Sequence, residues 1–217
     1  MRNSTEFSHF QPGALRRLFR YALDKEQDIA DFYWFLKTQL YYKQSFDQIG
    51  SRSRILRPLR INRPWNMNIG NDVIINSYTW LYTEDNIDGL KSVKLVIGDG
   101  CKIGNVNHIA AINGVYLGKK VLTADKVYIS DHIHDYQNPT TAIMDQPIIS
   151  KGKVEIGDGT WIGENVSIIC SKIGKNCVIG ANSVVTHDIP DFSVAAGIPA
   201  RVVKRYSESS RVWERVA

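Results

Sequence analysis

From residue 69 onward a six-residue unit that opens on an aliphatic residue followed by a small one recurs along the chain, and that spacing excludes most ways of folding it. Ile69-Gly70-Asn71-Asp72-Val73-Ile74 is one unit. Ile97-Gly98-Asp99-Gly100-Cys101-Lys102 runs straight into Ile103-Gly104-Asn105. Ile156-Gly157-Asp158-Gly159-Thr160-Trp161 continues into Ile162-Gly163-Glu164-Asn165-Val166-Ser167, and Ile173-Gly174-Lys175-Asn176-Cys177-Val178 into Ile179-Gly180-Ala181-Asn182-Ser183-Val184. Seven such units, six of them in directly adjoining pairs, are too many for a chance run of Ile-Gly pairs. Half-buried strands would show period two, and buried parallel strands would need long crossovers. A fixed short period specifies a stacked architecture instead. Each hexad reads as one short strand and a turn, with the aliphatic side chain pointing inward. Three such faces make one triangular coil, and stacked coils share a continuous aliphatic core. The glycine beside the aliphatic residue is expected to supply the backbone angles of a tight corner.

The first fifty residues follow a different period. Leu15, Leu18, Phe19 and Ala22 share one helical face, and Ile29, Phe32, Tyr33, Leu36 and Leu40 share another. Asp24 or Asp28 is a candidate cap for a second helix. The pattern predicts a helical extension over 1–48, whose apolar faces need a partner. A mainly β, stacked-coil domain follows over 49–205, and a tail over 206–217.

With 217 residues and 43% hydrophobic content, the chain can bury a proper core. Met1-Arg2-Asn3-Ser4-Thr5-Glu6 leads into no apolar stretch of a secretory signal, and no apolar run has transmembrane length, so a cytoplasmic protein is expected. Cys101, Cys170 and Cys177 form no CxxC pair and read as reduced, packed thiols. The net charge is +5, with Arg52, Arg54, Arg57, Arg60 and Arg63 within twelve residues and Arg16, Arg17 and Arg20 in a second cluster. Such clusters read as solvated faces or as sites for a phosphorylated cofactor or acidic glycan. No nucleic-acid recognition module accompanies them.

One stretch breaks the aliphatic procession. YISDHIHDY, residues 128–136, carries His132, His134, Asp131 and Asp135 within five residues. The hexads resume only at Val154. The stretch from Asp131 to about Lys153 therefore reads as an excursion from the coil that builds a site.

These hexads resemble the left-handed parallel β-helix of the hexapeptide-repeat acyltransferases, over roughly residues 50–205. The run TWIGENVSI and then VIGANSVVTHDIPDFSVAAGIPARVVK resembles the last coil and exit segment of galactoside, maltose and polysaccharide O-acetyltransferases. LGKKVLTADKVYISDHIHDY resembles the segment leading to the catalytic histidine of capsule and lipopolysaccharide O-acetyltransferases. The resemblance implies a left-handed β-helix with a short helical N-terminal extension, assembled as a homotrimer with acetyl-CoA in clefts between subunits. It implies His132 as the catalytic residue, with His134 supporting. It also implies cofactor contacts at Trp161, Ala181, Thr186 and His187, and at the basic Arg201 and Lys204, whose charge suits phosphates. The acceptor it implies is a sugar or a surface-polysaccharide precursor.

The chemistry needs such a residue. A sugar hydroxyl ionises far above neutrality, and a base poised near pH 7 removes its proton as the oxygen attacks the thioester. A neutral imidazole can accept at Nε2 while Nδ1–H is held by an oxygen. Asp131, Asp135 or a backbone carbonyl could be that oxygen. His108, with Asn107 beside it, sits where a coil residue could meet the acceptor or simply face solvent. His9 reads as solvated.

Two rival readings use the same coil. The resemblance extends to a class of carbonic anhydrases with three zinc-binding histidines gathered from two subunits, for which His132, His134 and His108 would be recruited. Their His-Gly-x-x-x-His spacing is missing here, and no metal is expected. The other rival is a non-catalytic trimeric scaffold, in which changing His132 has no cost.

Overall fold

The computed structural model describes residues 14–86 and 92–216. His9 and the side chains of Leu15, Leu18 and Phe19 lie outside the described residues. The chain divides into two compact units, Met1–Tyr33 and Trp34–Ala217. The described part of the first unit is helical. One continuous helix, α1 (Ala14–Leu40), runs through it and on into the second unit. The expected break at Asp24 or Asp28 is absent: both lie mid-helix, where Lys25 pairs with Asp28 at 3.8 Å, an i,i+3 contact on one helical face. Ile29, Phe32, Tyr33, Leu36 and Leu40 stay exposed. Within the second unit the last turns of α1 meet the first coil. Thr38 Oγ1 accepts the N–H of Ile55 at 2.9 Å, and the Gln39 amide donates to the carbonyl of Ser53 at 2.9 Å.

The second unit is a prism of three parallel sheets, the architecture of a left-handed β-helix. The first sheet stacks Gln48–Ile49, Met67–Ile69, Leu95–Ile97, Val115–Leu117, Val154–Ile156 and Lys172–Ile173. The second stacks Arg54–Ile55, Ile74–Ile75, Lys102–Ile103, Leu122–Thr123, Trp161–Ile162, Val178–Ile179 and Ser193–Gly197. The third stacks Arg60–Asn62, Trp80–Thr83, His108–Ala111, Tyr128–Ser130, Ser167–Ile169 and Val184–Val185. Every sixth aliphatic side chain points inward. Ile69, Ile97, Leu117, Ile156 and Ile173 line the core from one face, Ile75, Ile103, Ile162 and Ile179 from the next, and Leu81, Ile109, Ile129, Ile168 and Val185 from the third. Each removes roughly 2 kcal/mol worth of apolar surface from water.

The glycines beside these residues do a different job from the one expected. The left-handed backbone falls two positions later, at Asp72, Gly100, Val106, Lys120, Gly159, Asn165, Asn176 and Asn182, with φ between 48° and 71°. The glycines instead let successive coils approach. A Cβ on Gly104 would lie 2.2 Å from the carbonyl oxygen of Ala124 one coil on, and one on Gly174 would lie 2.4 Å from the backbone nitrogen of Asp191.

Between the third and first sheets the links vary in length. The link after Ile169 is only Cys170–Ser171, closed because Cys170 takes a left-handed φ of 48°. After Ser130 the chain instead leaves the coil. Ile133–His134 pairs antiparallel with Ile148–Ile149, and the Gln146 side chain ties down the backbone of Asn138 and Thr141 before the coil resumes at Val154. At the far end, the segment read as a tail from 206 is ordered strand. Ala200–Ser207 folds back on Ser193–Gly197 and is itself covered by Val212–Arg215, with Tyr206 against Trp213 at 5.7 Å. No helix among the described residues is long and apolar enough to cross a membrane.

Candidate active site

The site grows from one buried carboxylate. Asp131 follows the third-sheet strand Tyr128–Ser130, at the edge where the previous coil makes its turn through Ile112, Asn113 and Gly114. That turn aims three backbone N–H groups inward. Asp131 Oδ1 accepts from Ile112 at 3.0 Å, and Oδ2 accepts from Asn113 at 2.7 Å and from Gly114. The carboxylate is 0% exposed. Burial pushes its pKa up, but the His132 hydrogen bond and the three N–H donors outweigh that, and it lies below the usual carboxylate range. It is therefore ionised at neutral pH and acts only as an acceptor.

His132 follows it directly. Its Nδ1 lies 2.9 Å from Asp131 Oδ1, so the acceptor-only carboxylate places the proton on Nδ1. Nε2 has no partner among the described residues, and the side chain is 14% exposed. Ser130 fixes the backbone of His132, its hydroxyl donating to the His132 carbonyl at 2.8 Å and accepting the His132 N–H at 3.2 Å. Ser150, on the returning arm of the excursion, donates to the Asp131 carbonyl at 2.7 Å. The result is a fixed imidazole with its basic nitrogen turned outward. Asp135, the other carboxylate considered, instead accepts the N–H groups of Tyr136 and Gln137.

Below His132 runs an outward column of the third sheet. Trp80, His108 and Tyr128 are in register on adjacent strands. Trp80 and His108 stack with centroids 4.2 Å apart and planes 1° from parallel, and Tyr128 closes the other side at 5.3 Å. Burial, and then the neighbouring His132, hold the His108 pKa below its ordinary value, so His108 is a clamped, neutral imidazole. Trp80 and Tyr128 were not singled out from sequence, yet each precedes an inward aliphatic, Leu81 and Ile129, just as His108 precedes Ile109. Lining up those positions would have found the column.

The other candidates separate. His134 lies in the excursion strand, exposed, and its side chain makes no hydrogen bond among the described residues. Asn107 cannot meet a substrate and is a correction: it is 1% exposed, its amide donates to Gly104, Thr123 and Ala124, and its oxygen accepts the Val127 N–H. Its role is to close a corner. Thr186 and His187, joined by a 2.9 Å hydrogen bond, sit two coils along the same edge as His132. Trp161, 49% exposed, and Lys204 belong instead to one outward column of the second sheet, through Val178 and Val194. Arg201 is exposed on the same terminal strand, and Ala181 on the corner between the second and third sheets. A groove of about 810 Å³ lies on the outer face of the first sheet, between Tyr116, Glu155, Lys172 and Asp188. No three His, Cys, Asp or Glu side chains gather as metal ligands among the described residues.

Known proteins carry the same pattern. Residues 153–187 match the family model described as bacterial transferase hexapeptide (six repeats). The galactoside O-acetyltransferase of Lactococcus lactis is 30% identical over 147 residues, covering 58% of this chain and 70% of that protein. WbbJ of Escherichia coli K12, provisionally named a lipopolysaccharide biosynthesis O-acetyl transferase, is 35% identical over 128 residues, covering 56% of this chain. A provisionally named acetyltransferase of Mycobacterium tuberculosis is 43% identical over 124 residues. The chain spans 65% of the length of WbbJ and 40% of the mycobacterial protein. Among solved structures, the Bacillus cereus N-acyltransferase AntD, in complex with dTDP and 3-hydroxybutyryl-CoA, superposes with a TM-score of 0.66 at 20% identity, over 80% of this chain and 90% of that one. With the hexad coil, its closely stacked glycines and these relatives in agreement, the chain belongs to the hexapeptide-repeat acetyltransferase family.

Proposed function

We propose that the protein moves an acetyl group from acetyl-CoA to a hydroxyl of a sugar or surface-polysaccharide precursor, with His132 as general base in a ternary complex. The observation that carries this is the His132–Asp131 pair. Nδ1 is locked on a buried, ionised carboxylate and the lone pair of Nε2 is directed outward. As the acceptor oxygen attacks the thioester carbonyl, Nε2 takes its proton, and Asp131 stabilises the imidazolium that forms. Collapse of the tetrahedral intermediate breaks the carbon–sulfur bond, and the proton passes from Nε2 to the departing CoA sulfur. His132 returns to its starting state. The names of the Lactococcus and Escherichia relatives support an O-linked acceptor.

The cofactor residues support a site shared between copies. Trp161 and Lys204 belong to the second sheet, whereas Thr186, His187 and His132 lie on the edge between the third and first. One acetyl-CoA meets both groups only if one copy offers its edge and a neighbour its second sheet, as in a homotrimer. His134, at the rim of the excursion, and the clamped His108 then face the acceptor. The test is a CoA-release screen with purified protein and acetyl-CoA against sugars, oligosaccharides and nucleotide sugars. Acceptor-dependent release is expected. Release with amines only, or with none of the acceptors, would overturn the proposal.

A further inference from the structure

The column leading to His132 continues one rung further down, and it ends in positive charge. Arg60 is in register with Trp80, two strands below Tyr128 by way of His108. Its guanidinium carbon lies 5.9 Å from the Trp80 ring centroid, so the side chain lies against the lower end of the column. Arg57, exposed with a left-handed φ of 37°, stands at the corner that leads into the same strand. The neighbouring arginines are paired: Arg52 with Asp72 at 2.6 Å, and Arg63 with Asp85 at 2.8 Å and Glu84 at 3.2 Å. Among the described residues neither Arg57 nor Arg60 has a carboxylate partner. Arg60 is thus held by a ring on one face while its N–H fork stays available to an anion.

Resting on the acetyl-transfer reading above, we infer that the acceptor is a phosphate-bearing sugar, its phosphate on Arg60 and Arg57 while its hydroxyl lies at His132. The spacing selects this class. Arg60 stands three strands below the coil of His132, and strands in a sheet stand about 4.8 Å apart, so roughly 14 Å separates the two levels. One pyranose ring is too short to touch both ends. A ring joined to a phosphate or diphosphate spans the distance. The edges of Trp80, His108 and Tyr128 line the path, and neutral His108 offers a hydrogen-bonding edge to the ring with no charge to compete for the phosphate.

The experiment compares CoA release for matched acceptors: nucleoside diphosphate hexoses, the same hexose 1-phosphates, and the same methyl glycosides, at low and high salt. The inference expects kcat/KM to favour a phosphate-bearing form over its neutral glycoside, with a preference that weakens in salt. The diphosphate and monophosphate arms separate a nucleotide-linked acceptor from a simple sugar phosphate. In Arg60→Gln the preference should fall about 10- to 100-fold through KM of the phosphate-bearing acceptor, with KM for acetyl-CoA and thermal stability held; Arg60→Lys should recover part of it. Neutral glycosides used as well as phosphorylated ones, or an undiminished preference in Arg60→Gln, would overturn the inference and leave the acetyl-transfer reading standing. No release with any acceptor overturns both.

Discussion

Replacing Asp131 by Asn tests how the base is set up, because it keeps the shape and removes the charge. In the native protein Oδ1 takes the Ile112 N–H and His132 Nδ1, and Oδ2 takes the N–H groups of Asn113 and Gly114. Asparagine has one oxygen for these two sides. On the Oδ2 side it satisfies two N–H donors, so the amide NH₂ must face Ile112 N–H and His132. The part-buried Ile112 N–H then has no acceptor, which costs about 1–3 kcal/mol of stability. Nδ1 must become the acceptor of the new N–H, so the ring proton moves to Nε2, the atom that has to be basic. A histidine held in the wrong tautomer by this kind of change loses about 10³- to 10⁴-fold in kcat. Steady-state CoA release would measure the loss, and the ring ¹⁵N shifts of His132 would report the proton's move to Nε2. A folded variant whose kcat stays within tenfold of wild type, or whose proton remains on Nδ1, would refute the reasoning.

Other outcomes follow from the same geometry. Gly104→Ala should destabilise the coil by about 3 kcal/mol in chemical denaturation, since its Cβ meets the Ala124 carbonyl carbon and oxygen at 2.4 and 2.2 Å, backbone that cannot move aside. A variant as stable as wild type would show that the coils have slack there. His108 carries a lowered pKa, so the unfolded chain binds its proton first and the folded state loses stability as pH falls from the ordinary histidine range through the folded pKa. Denaturation at pH 7.5 and 5.5 should therefore show a larger acid loss in wild type than in His108→Phe, which keeps the stack without the titration; equal losses would contradict the clamp. Leu81→Ala should lower stability by about 2–5 kcal/mol, because Leu81 is wholly buried in the third face; a loss below 1 kcal/mol would contradict a packed core.

The hexads are legible because a coil repeats itself: Ile97, Ile103, Ile156, Ile162, Ile173 and Ile179 each announce an inward position without reference to anything distant. What the glycines do is not legible that way. Gly104 is small because of Ala124, twenty residues on, and only stacking brings the two together. The single helix is not legible because Asp24 and Asp28 look like caps yet are simply exposed side chains within α1. At the site, His132 and Asp131 stand out as the polar break in an aliphatic pattern. Their supports do not, because the donors from Ile112, Asn113 and Gly114 are backbone groups with no side-chain signature. Asn107 misleads in a different way: a polar residue beside a histidine looks like a site, while its four side-chain hydrogen bonds run into the corner around it.

The central claim is that His132 Nε2 removes the acceptor proton, and His132→Ala measures it most directly. Acetyl transfer and acetyl-CoA binding should be followed in the same preparation, by CoA release and by calorimetric titration. The account predicts turnover lower by about 10²- to 10⁴-fold with acetyl-CoA affinity and assembly size unchanged. Turnover equal to wild type in that variant would contradict it.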